Sequence, residues 1–213
     1  MLLTSKDIKN PGLNILPPGV ERHIVNGGGL TAFQIFPDDE VEIINDEGNQ
    51  ICEIICFNKD GKSDLGILNL KDNNKKNFIR EILNKKDETI LATNYQLKKR
   101  NLNIKESKSS IIFDTDTKAE EKIKFKSKDK CYAIFAAPGE DMDVTKQNPP
   151  TDLTIFVKRA KIINDKELSV IPDPVFEPHY EEKINKETST SYQVKEGDYI
   201  QVISPTGRQC SDL

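Results

Sequence analysis

The sequence predicts a mainly β protein, a β-barrel or sandwich with a small helical insertion, in which one β-unit is written twice and its second copy is incomplete. Three observations lead to this prediction. Apolar and polar residues alternate over several stretches, which is typical of half-buried strands. Helical spacing of apolar residues is confined to about residues 72–100. Segment 190–213 repeats segment 31–54, because residue 190 lies 159 positions after residue 31 and residue 213 lies 159 positions after residue 54.

The duplication rests on identical residues at matching positions. The first members of the identical pairs are Thr31, Gln34, Asp39, Ile44, Gly48 and Gln50. The offset exceeds the periods of about 20–50 residues in repeat arrays, so the pattern indicates a duplicated domain. Each copy predicts a small β-meander, with a turn at 36–39 or 195–198 between its first two strands. The second copy stops at Leu213 within its third strand, and we therefore expect the chain to be the front part of something longer.

Four regions follow from the pattern of apolar runs and turn residues. Residues 1–19 contain Pro-Gly pairs and predict an irregular arm. Residues 20–162 predict a β-rich first copy, in which the glycine run at 26–29 is a plain turn and not a phosphate loop, because no Gly-Lys-Ser/Thr follows. Residues 163–187 predict a linker, and 188–213 the opening strands of the truncated second copy.

Within the first copy, two helices and four further strands follow the first three strands. The first helix is predicted over 72–86 with Asp72 or Asn73 as its N-cap, and the second over 88–100 with Asp87 as its N-cap. One apolar stripe on the first helix comprises Phe78, Ile79, Ile82 and Leu83. The later strands are predicted at 111–113, 123–125, 131–137 and 153–157.

Composition excludes several classes of partner. The net charge of −4 gives no general attraction to nucleic acid or to an anionic membrane. No apolar run approaches the roughly 18 residues of a transmembrane helix, and no secretory signal precedes the first strand. Four cysteines without regular spacing favour a reducing compartment. We therefore expect a cytoplasmic protein with no nucleic-acid and no membrane partner.

The cysteines and histidines suggest little chemistry on their own. Cys52 and Cys56 lie four residues apart on one face of a strand, and with His23 they suggest a zinc site. A second pair of ligands is missing, so buried thiols are the favoured interpretation, and Cys131 has the same interpretation. His179 is an isolated loop histidine. We therefore assign no metal ligand in this chain.

A polar cluster at the end of the second copy is the candidate catalytic site. Arg208, Cys210 and Asp212 follow a Pro-Thr-Gly turn. The first copy has neither the arginine nor the aligned cysteine, which suggests that one copy kept a site while the other became scaffold. A plain polar edge strand is the alternative.

Several motifs carry a resemblance to known families. They are Gly-Asp-Tyr-Ile-Gln-Val-Ile at 197–203, Gly-Arg-Gln-Cys-Ser-Asp at 207–212, Ala-Ala-Pro-Gly at 136–139, Pro-Pro-Thr-Asp-Leu at 149–153 and Val-Lys-Arg-Ala at 157–160. The first two resemble the start of the urea-carboxylase-associated domain family. The others are similar to the N-terminal region of trimethylamine N-oxide demethylase-like proteins, which join this domain to a folate-binding domain of the aminomethyltransferase (glycine-cleavage T-protein) type. The resemblance covers about residues 12–213.

The resemblance implies a demethylase that depends on a metal and on tetrahydrofolate. Such an enzyme converts trimethylamine N-oxide, or a related methylated amine, to dimethylamine and formaldehyde, and its folate domain captures the formaldehyde. It implies zinc or iron held largely by cysteines, with Asp212 as an acid or base and Cys210 and Arg208 beside it. The expected cysteine cluster and the folate domain are missing here, so no cofactor-binding residue is assigned and the chain alone is expected to be inactive.

Three hypotheses follow. The first is the N-terminal scaffold portion of such a demethylase or of a related aminomethyltransferase. Its partner would be the remainder of the same polypeptide, with the metal site and the folate domain, in a homo-oligomer. The second is a non-catalytic β-barrel module for oligomerisation or ligand binding. The third is a small metalloprotein using Cys52, Cys56 and Cys210. We expect the strands of the second copy to pair with the first copy or with a neighbouring chain.

Overall fold

Eight β-strands and two α-helices form the described part of the computed structural model, which covers residues 16–17, 19–74, 76–86, 88–139, 149–161 and 178–202. The strands are β1 (Val20–Val25), β2 (Leu30–Ile35), β3 (Glu40–Asn45), β4 (Cys52–Asn58), β5 (Ser109–Phe113), β6 (Glu121–Lys126), β7 (Cys131–Ala136) and β8 (Leu153–Lys158). The helices are α1 (Phe78–Leu83) and α2 (Glu88–Lys99), and short 3-10 helices occur at Leu65–Leu68 and Ile104–Glu106. The four strands predicted after the helices are confirmed as β5 to β8.

The strands form two antiparallel sheets of four strands each. The first sheet has the order β1-β8-β3-β6, and the second sheet has the order β2-β7-β4-β5. The helices lie between β4 and β5 in sequence. The predicted fold class, a mainly β sandwich with a small helical insertion, is therefore confirmed.

The predicted β-meander at the start of the domain is wrong. Strands β2 and β4 belong to the second sheet, whereas β3 belongs to the first. Strands β2 and β4 both pair with β7, whereas β3 pairs with β6 and β8. All of these partners are distant in sequence. The alternation that predicts a strand is satisfied equally by a neighbouring or a distant partner, which is why the pairing was mistaken.

The main core lies between the two sheets. Its members come from the inward positions of both sheets and include Val41, Ile43, Ile155 and Val157 of the first sheet and Phe33, Ile54, Cys56 and Phe135 of the second. The outer face of β6 in the first sheet carries exposed charged residues. This one-sided burial produces the alternation that the sequence displays.

The second sheet is buried on both faces because the helices cover its outer face. Ile55, Phe57 and Ile134 on that face contact Ile79 and Ile82 of α1. Six consecutive residues of β4 are buried for this reason. The helical insertion thus acts as a third layer over one sheet.

Helix α1 is shorter than predicted, since it begins at Phe78 with Asn77 as its N-cap. The predicted caps, Asp72 and Asn73, are not at its start. Asn73 donates from Nδ2 to the Ile111 carbonyl and accepts the Ile111 N–H at Oδ1, at 3.2 and 2.7 Å. These bonds to β5 compete with helix formation in the residues between Asn73 and the start of α1. The predicted cap Asp87 lies outside the described residues.

Residues 178–202 contain no strand, although the sequence predicts strands on both sides of the turn at 195–198. Their side chains are almost all exposed, among them Tyr192, Val194 and Tyr199. A strand requires the backbone of a partner, and no strand of the described residues lies beside this segment. The predicted pairing with the first copy is thus not formed within 178–202. Residues 203–213 lie outside the described residues, as do 1–15 of the predicted arm and most of the predicted linker.

Two turns at matching positions of the repeat have the same hydrogen bonds. In the first, the Asp39 carboxylate accepts the Phe36 N–H at 2.9 Å and the Asp39 N–H donates to the Phe36 carbonyl at 3.1 Å. In the second, Asp198 and Lys195 make the same two bonds at 2.7 and 3.0 Å. The third residue has a positive φ in both turns, 67° at Asp38 and 88° at Gly197. These are the φ values that a type II turn requires at that position.

Candidate functional site

The predicted catalytic residues Arg208, Cys210 and Asp212 lie outside the described residues. Their counterparts 159 positions earlier are Asn49, Ile51 and Glu53. These counterparts lie at the entry to β4, so the structure describes what the first copy has at the matching positions.

Glu53 is a buried carboxylate on the outer face of the second sheet. Its Oε1 accepts from Asn74 Nδ2 at 2.6 Å, and its Oε2 accepts the N–H of Ile79 at 2.7 Å. The residue has no exposed surface, and these two partners lie at the start of α1 and in the chain just before it. The register of β4 against β5 shifts at this residue, a bulge that locally interrupts the ladder. The carboxylate therefore connects the helical insertion to the sheet.

The electrostatics of Glu53 agree with an anchoring role. Burial raises the pKa of its carboxyl group, and hydrogen bonds from Ser109, Ile79 and Asn74 lower it by less. Both oxygens already accept hydrogen bonds and neither is open to solvent. A group in this position has no room for a substrate, so the first copy has a structural carboxylate where the second has Asp212.

The turn before β4 fixes two distant loops. Gly48 has a φ of 79°, and a Cβ there would lie 2.6 Å from the backbone nitrogen of Ala119. The buried Gln50 donates from Nε2 to the Pro138 carbonyl at 2.9 Å and accepts the Thr151 N–H at 2.7 Å. Gly48 and Gln50 are identical in the second copy, whereas Asn49 and Ile51 are not. The shared residues are thus those with a structural role in the first copy.

A charged network surrounds Arg159 at the edge of the first sheet, and no pattern in the sequence predicts it. The guanidinium binds Asp39 Oδ2 at 2.6 Å and both carboxylate oxygens of Glu21 at 2.6 and 2.7 Å. Asp39 is almost fully buried, and it also accepts the Ala160 N–H at 2.9 Å. These bonds join the turn between β2 and β3 to the ends of β1 and β8. The pair of Arg159 and Asp39 could not be predicted, because the two residues are 120 positions apart in the sequence.

Glu21 is strongly perturbed by this network. Burial alone would raise the pKa of its carboxyl group, but hydrogen bonds from His23 and Arg159 lower it to about 2. His23 bonds to Glu21 at 3.2 Å, and its ring stacks on Phe33 at 4.1 Å between centroids. His23 therefore has a structural role in the sandwich.

The three described cysteines are free and buried. Cys52 and Cys56 face the inter-sheet core, as predicted from their spacing. Cys56 interacts with Cys131 on the adjacent strand β7, and this hydrogen bond together with burial raises the pKa of the Cys56 thiol. No group of three or more His, Cys, Asp or Glu side chains comes together among the described residues, so this part of the chain does not fit a metal centre.

An open cleft of about 240 Å³ lies at one end of the second sheet. It is lined by Gln34, Asn58, Lys59, Gly61, Arg100, Leu102, Lys130, Cys131 and Tyr132, and we call it the basic cleft. Sequence reasoning missed it because its residues come from three strand ends and the chain after α2. His179, in contrast, is exposed and lies in none of the sites described above.

Comparison with known proteins gives an extended sequence similarity. The chain is 32% identical over 206 residues to a trimethylamine-oxide aldolase of Ruegeria pomeroyi, covering 97% of this chain and 26% of that protein. The chain thus spans about a quarter of the length of that relative. No family model matches the chain.

Among solved structures, a DUF1989 family protein of Silicibacter pomeroyi matches 76% of this chain and 85% of its own, with 12% identity and a TM-score of 0.37. Within the described residues, neither helix is long and apolar enough to cross a lipid bilayer.

Proposed function

We propose that this chain is the amino-terminal part of an enzyme that converts trimethylamine N-oxide to dimethylamine and formaldehyde. The observation that carries the proposal is the similarity to a trimethylamine-oxide aldolase, which extends over 97% of the chain. Because the chain spans about a quarter of that relative, the activity of the whole protein is itself part of the proposal.

The proposed reaction balances without an external oxidant or reductant. A C–N bond and the N–O bond break, and the methyl carbon leaves with the oxygen as formaldehyde. The carbon is oxidised while the nitrogen is reduced, and one hydrogen passes from the methyl group to the amine. A carboxylate beside the methyl group can move that hydrogen as a proton, and Asp212 is the group we assign to this role. Cys210 and Arg208 are proposed to lie beside it.

In this proposal the two copies of the β-unit have different tasks. The sandwich of residues 20–158 is the scaffold, which is supported by the enclosed carboxylate of Glu53. The second copy supplies the reactive carboxylate at the matching position. The duplication is supported by the equivalent turns at 36–39 and 195–198, because Asp39 and Asp198 each close the turn with one carboxylate bond and one backbone bond. Zinc or iron and tetrahydrofolate remain proposals for the whole protein, held outside the described residues.

Formaldehyde release by the protein as its gene encodes it tests the proposal. We expect Asp212→Asn to lower turnover of trimethylamine N-oxide by about 10²–10⁴-fold, the usual effect of losing a proton-transfer group. Glu53→Gln is the matched control, because it changes the equivalent position of the first copy. We expect this control to be less stable, because its amide replaces an accepting oxygen, but to release formaldehyde at the wild-type rate at a temperature where thermal unfolding shows it to be folded. Equal losses in both variants, or no formaldehyde from the wild type, would contradict the proposal.

A ligand-binding or oligomerisation module without catalytic activity is the second candidate. The basic cleft favours it, since a charged cleft is present in a domain whose described residues form no cluster of three or more potential metal ligands. A wild-type gene product that releases no formaldehyde but binds a ligand in this cleft would support the module.

A further inference from the structure

The basic cleft has a concentration of positive charge that the chain as a whole lacks. Lys59, Arg100 and Lys130 line it, and no Asp or Glu is among its lining residues. The net charge of the chain is −4, so the excess of positive charge in this cleft does not follow from the composition. Asp60 and Asp129 are the nearest acidic residues in sequence to the two lysines, and neither lines the cleft.

A second depression on the surface provides a comparison within the same molecule. It contains Lys126, Lys158 and Arg159, and each of these cations has a carboxylate within 3.7 Å. Lys59 and Lys130, in contrast, form no ion pair with the described residues. Within the described part of the chain, the two lysines of the basic cleft thus lack the carboxylate partners that the cations of the other depression have.

The groups around the basic cleft are held in place by local contacts. The Arg100 guanidinium lies over the Tyr132 ring, 5.0 Å from its centroid, and donates to Gln96 Oε1 at 2.6 Å. Lys130 lies 5.4 Å from the centroid of the Phe36 ring. Ordered cations lose less freedom on binding than mobile ones, which favours affinity.

The loop that carries Lys59 is also fixed. Asn58 Oδ1 accepts the N–H groups of Asp60 and Lys62, each at 3.0 Å. Gly61 has a φ of 74°, and a Cβ there would lie 3.2 Å from the Asn101 carbonyl oxygen. The loop is therefore packed against the chain that follows α2.

We propose that the basic cleft binds a small oxyanion, a carboxylate or a phosphate. Two ammonium groups and a guanidinium are the usual partners of such anions. Leu102 and Tyr132 add an apolar wall that suits a ligand with a nonpolar part. The site goes beyond the proposed demethylation, because trimethylamine N-oxide has no net charge and its amine product is a cation that these lysines would repel.

Titration of chain 1–213 with inorganic phosphate and with benzoate at low ionic strength tests the proposal. Binding is followed by calorimetry and by the backbone amide resonances of Gly61 and Tyr132. We expect saturable shifts of these amides with at least one of the two probes. Phosphate alone would identify a phosphate site, and benzoate alone a site for carboxylates with an apolar portion. Binding of both would identify the shared oxyanion chemistry.

The variant Lys59→Gln/Lys130→Gln removes the two lysines that have no carboxylate partner among the residues that the structure describes. We expect its affinity for the anion to fall about tenfold, which corresponds to about 1.4 kcal/mol. The matched control is Lys124→Gln/Lys126→Gln, which removes the same charge from exposed positions on β6. Thermal unfolding verifies that both variants fold. No saturation with either probe, or an equal loss of affinity in the control, would overturn the proposal.

Discussion

Arg159 connects three segments of the sandwich that are far apart in the sequence. It follows β8, and its guanidinium reaches the turn before β3 and the second residue of β1. The side chain is 10% exposed and that of Asp39 is 2% exposed. In the sequence, Arg159 belongs to the motif at 157–160, which indicates a family resemblance but no ion pair. Its partners could not be found there, because hydrogen bonding between residues 120 positions apart leaves no local pattern.

Arg159→Ala is expected to destabilise the domain by about 3 kcal/mol, because it leaves the buried Asp39 carboxylate without its cation. The measurement is the free energy of unfolding in urea. Lys158→Ala is the control, since Lys158 and its partner Glu40 are both well exposed and such pairs contribute about 0–1 kcal/mol. Similar losses in the two variants would contradict the role assigned to Arg159.

Glu21 and Glu53 predict opposite dependences of stability on pH. The pKa of Glu21 is lowered to about 2, so its contribution is present above about pH 4.5 and is lost as the pH falls toward 2. The pKa of Glu53 is raised, so the folded state binds its proton more tightly and stability decreases as the pH rises above 4.5.

The pH prediction is tested with Glu21→Gln and Glu53→Gln in urea unfolding between pH 3 and 7. Relative to wild type, Glu21→Gln should lose stability mainly at the higher pH values. Glu53→Gln should gain relative stability as the pH rises. Parallel pH profiles for the two variants would show that the environments of these carboxylates are not as described.

At the scale of elements, the strands were predicted well and the connections poorly. Short runs of apolar residues located β5 to β8, because each of these strands has apolar side chains that are buried or partly buried. These patterns could not assign β2, β3 and β4 to alternate sheets, since this depends on the turn that Asp39 closes. The apolar stripe of α1 was predicted correctly. The helix begins later than predicted, because the Asn73 side chain bonds to β5 instead of capping the helix. Side-chain competition of this kind depends on a strand 38 residues away.

The start of α1 provides a test at this scale. Asn77 Oδ1 accepts the N–H of Arg80 at 3.0 Å, so Asn77→Ala should cost about 1 kcal/mol of stability. Lys76→Ala, at the exposed neighbouring position, should have little effect. Hydrogen exchange of the α1 amides should increase in Asn77→Ala only. If Asn73→Ala destabilised the helix amides and Asn77→Ala did not, the predicted cap at Asn73 would be restored.

At the scale of the whole molecule, the chain combines a closed sandwich with a segment that repeats its beginning. The sandwich buries both faces of the second sheet and one face of the first. Segment 178–202 instead exposes most of the large apolar side chains that are exposed among the described residues, including Tyr180, Ile184, Tyr199 and Val202. The repeated sequence predicts a second β-unit. A repeat does not show, however, which strands that unit pairs with. The candidate catalytic residues follow this segment in sequence, and the first copy predicts the backbone position of Asp212 but not the side chains around it.

The most direct test of the duplicated unit is a structure of the protein as its gene encodes it, with the backbone of residues 192–213 superposed on residues 33–54. We expect the same path, a strand on each side of the turn at 195–198, and Asp212 at the position that Glu53 occupies on β4. Unrelated backbone paths for the two segments would contradict this prediction.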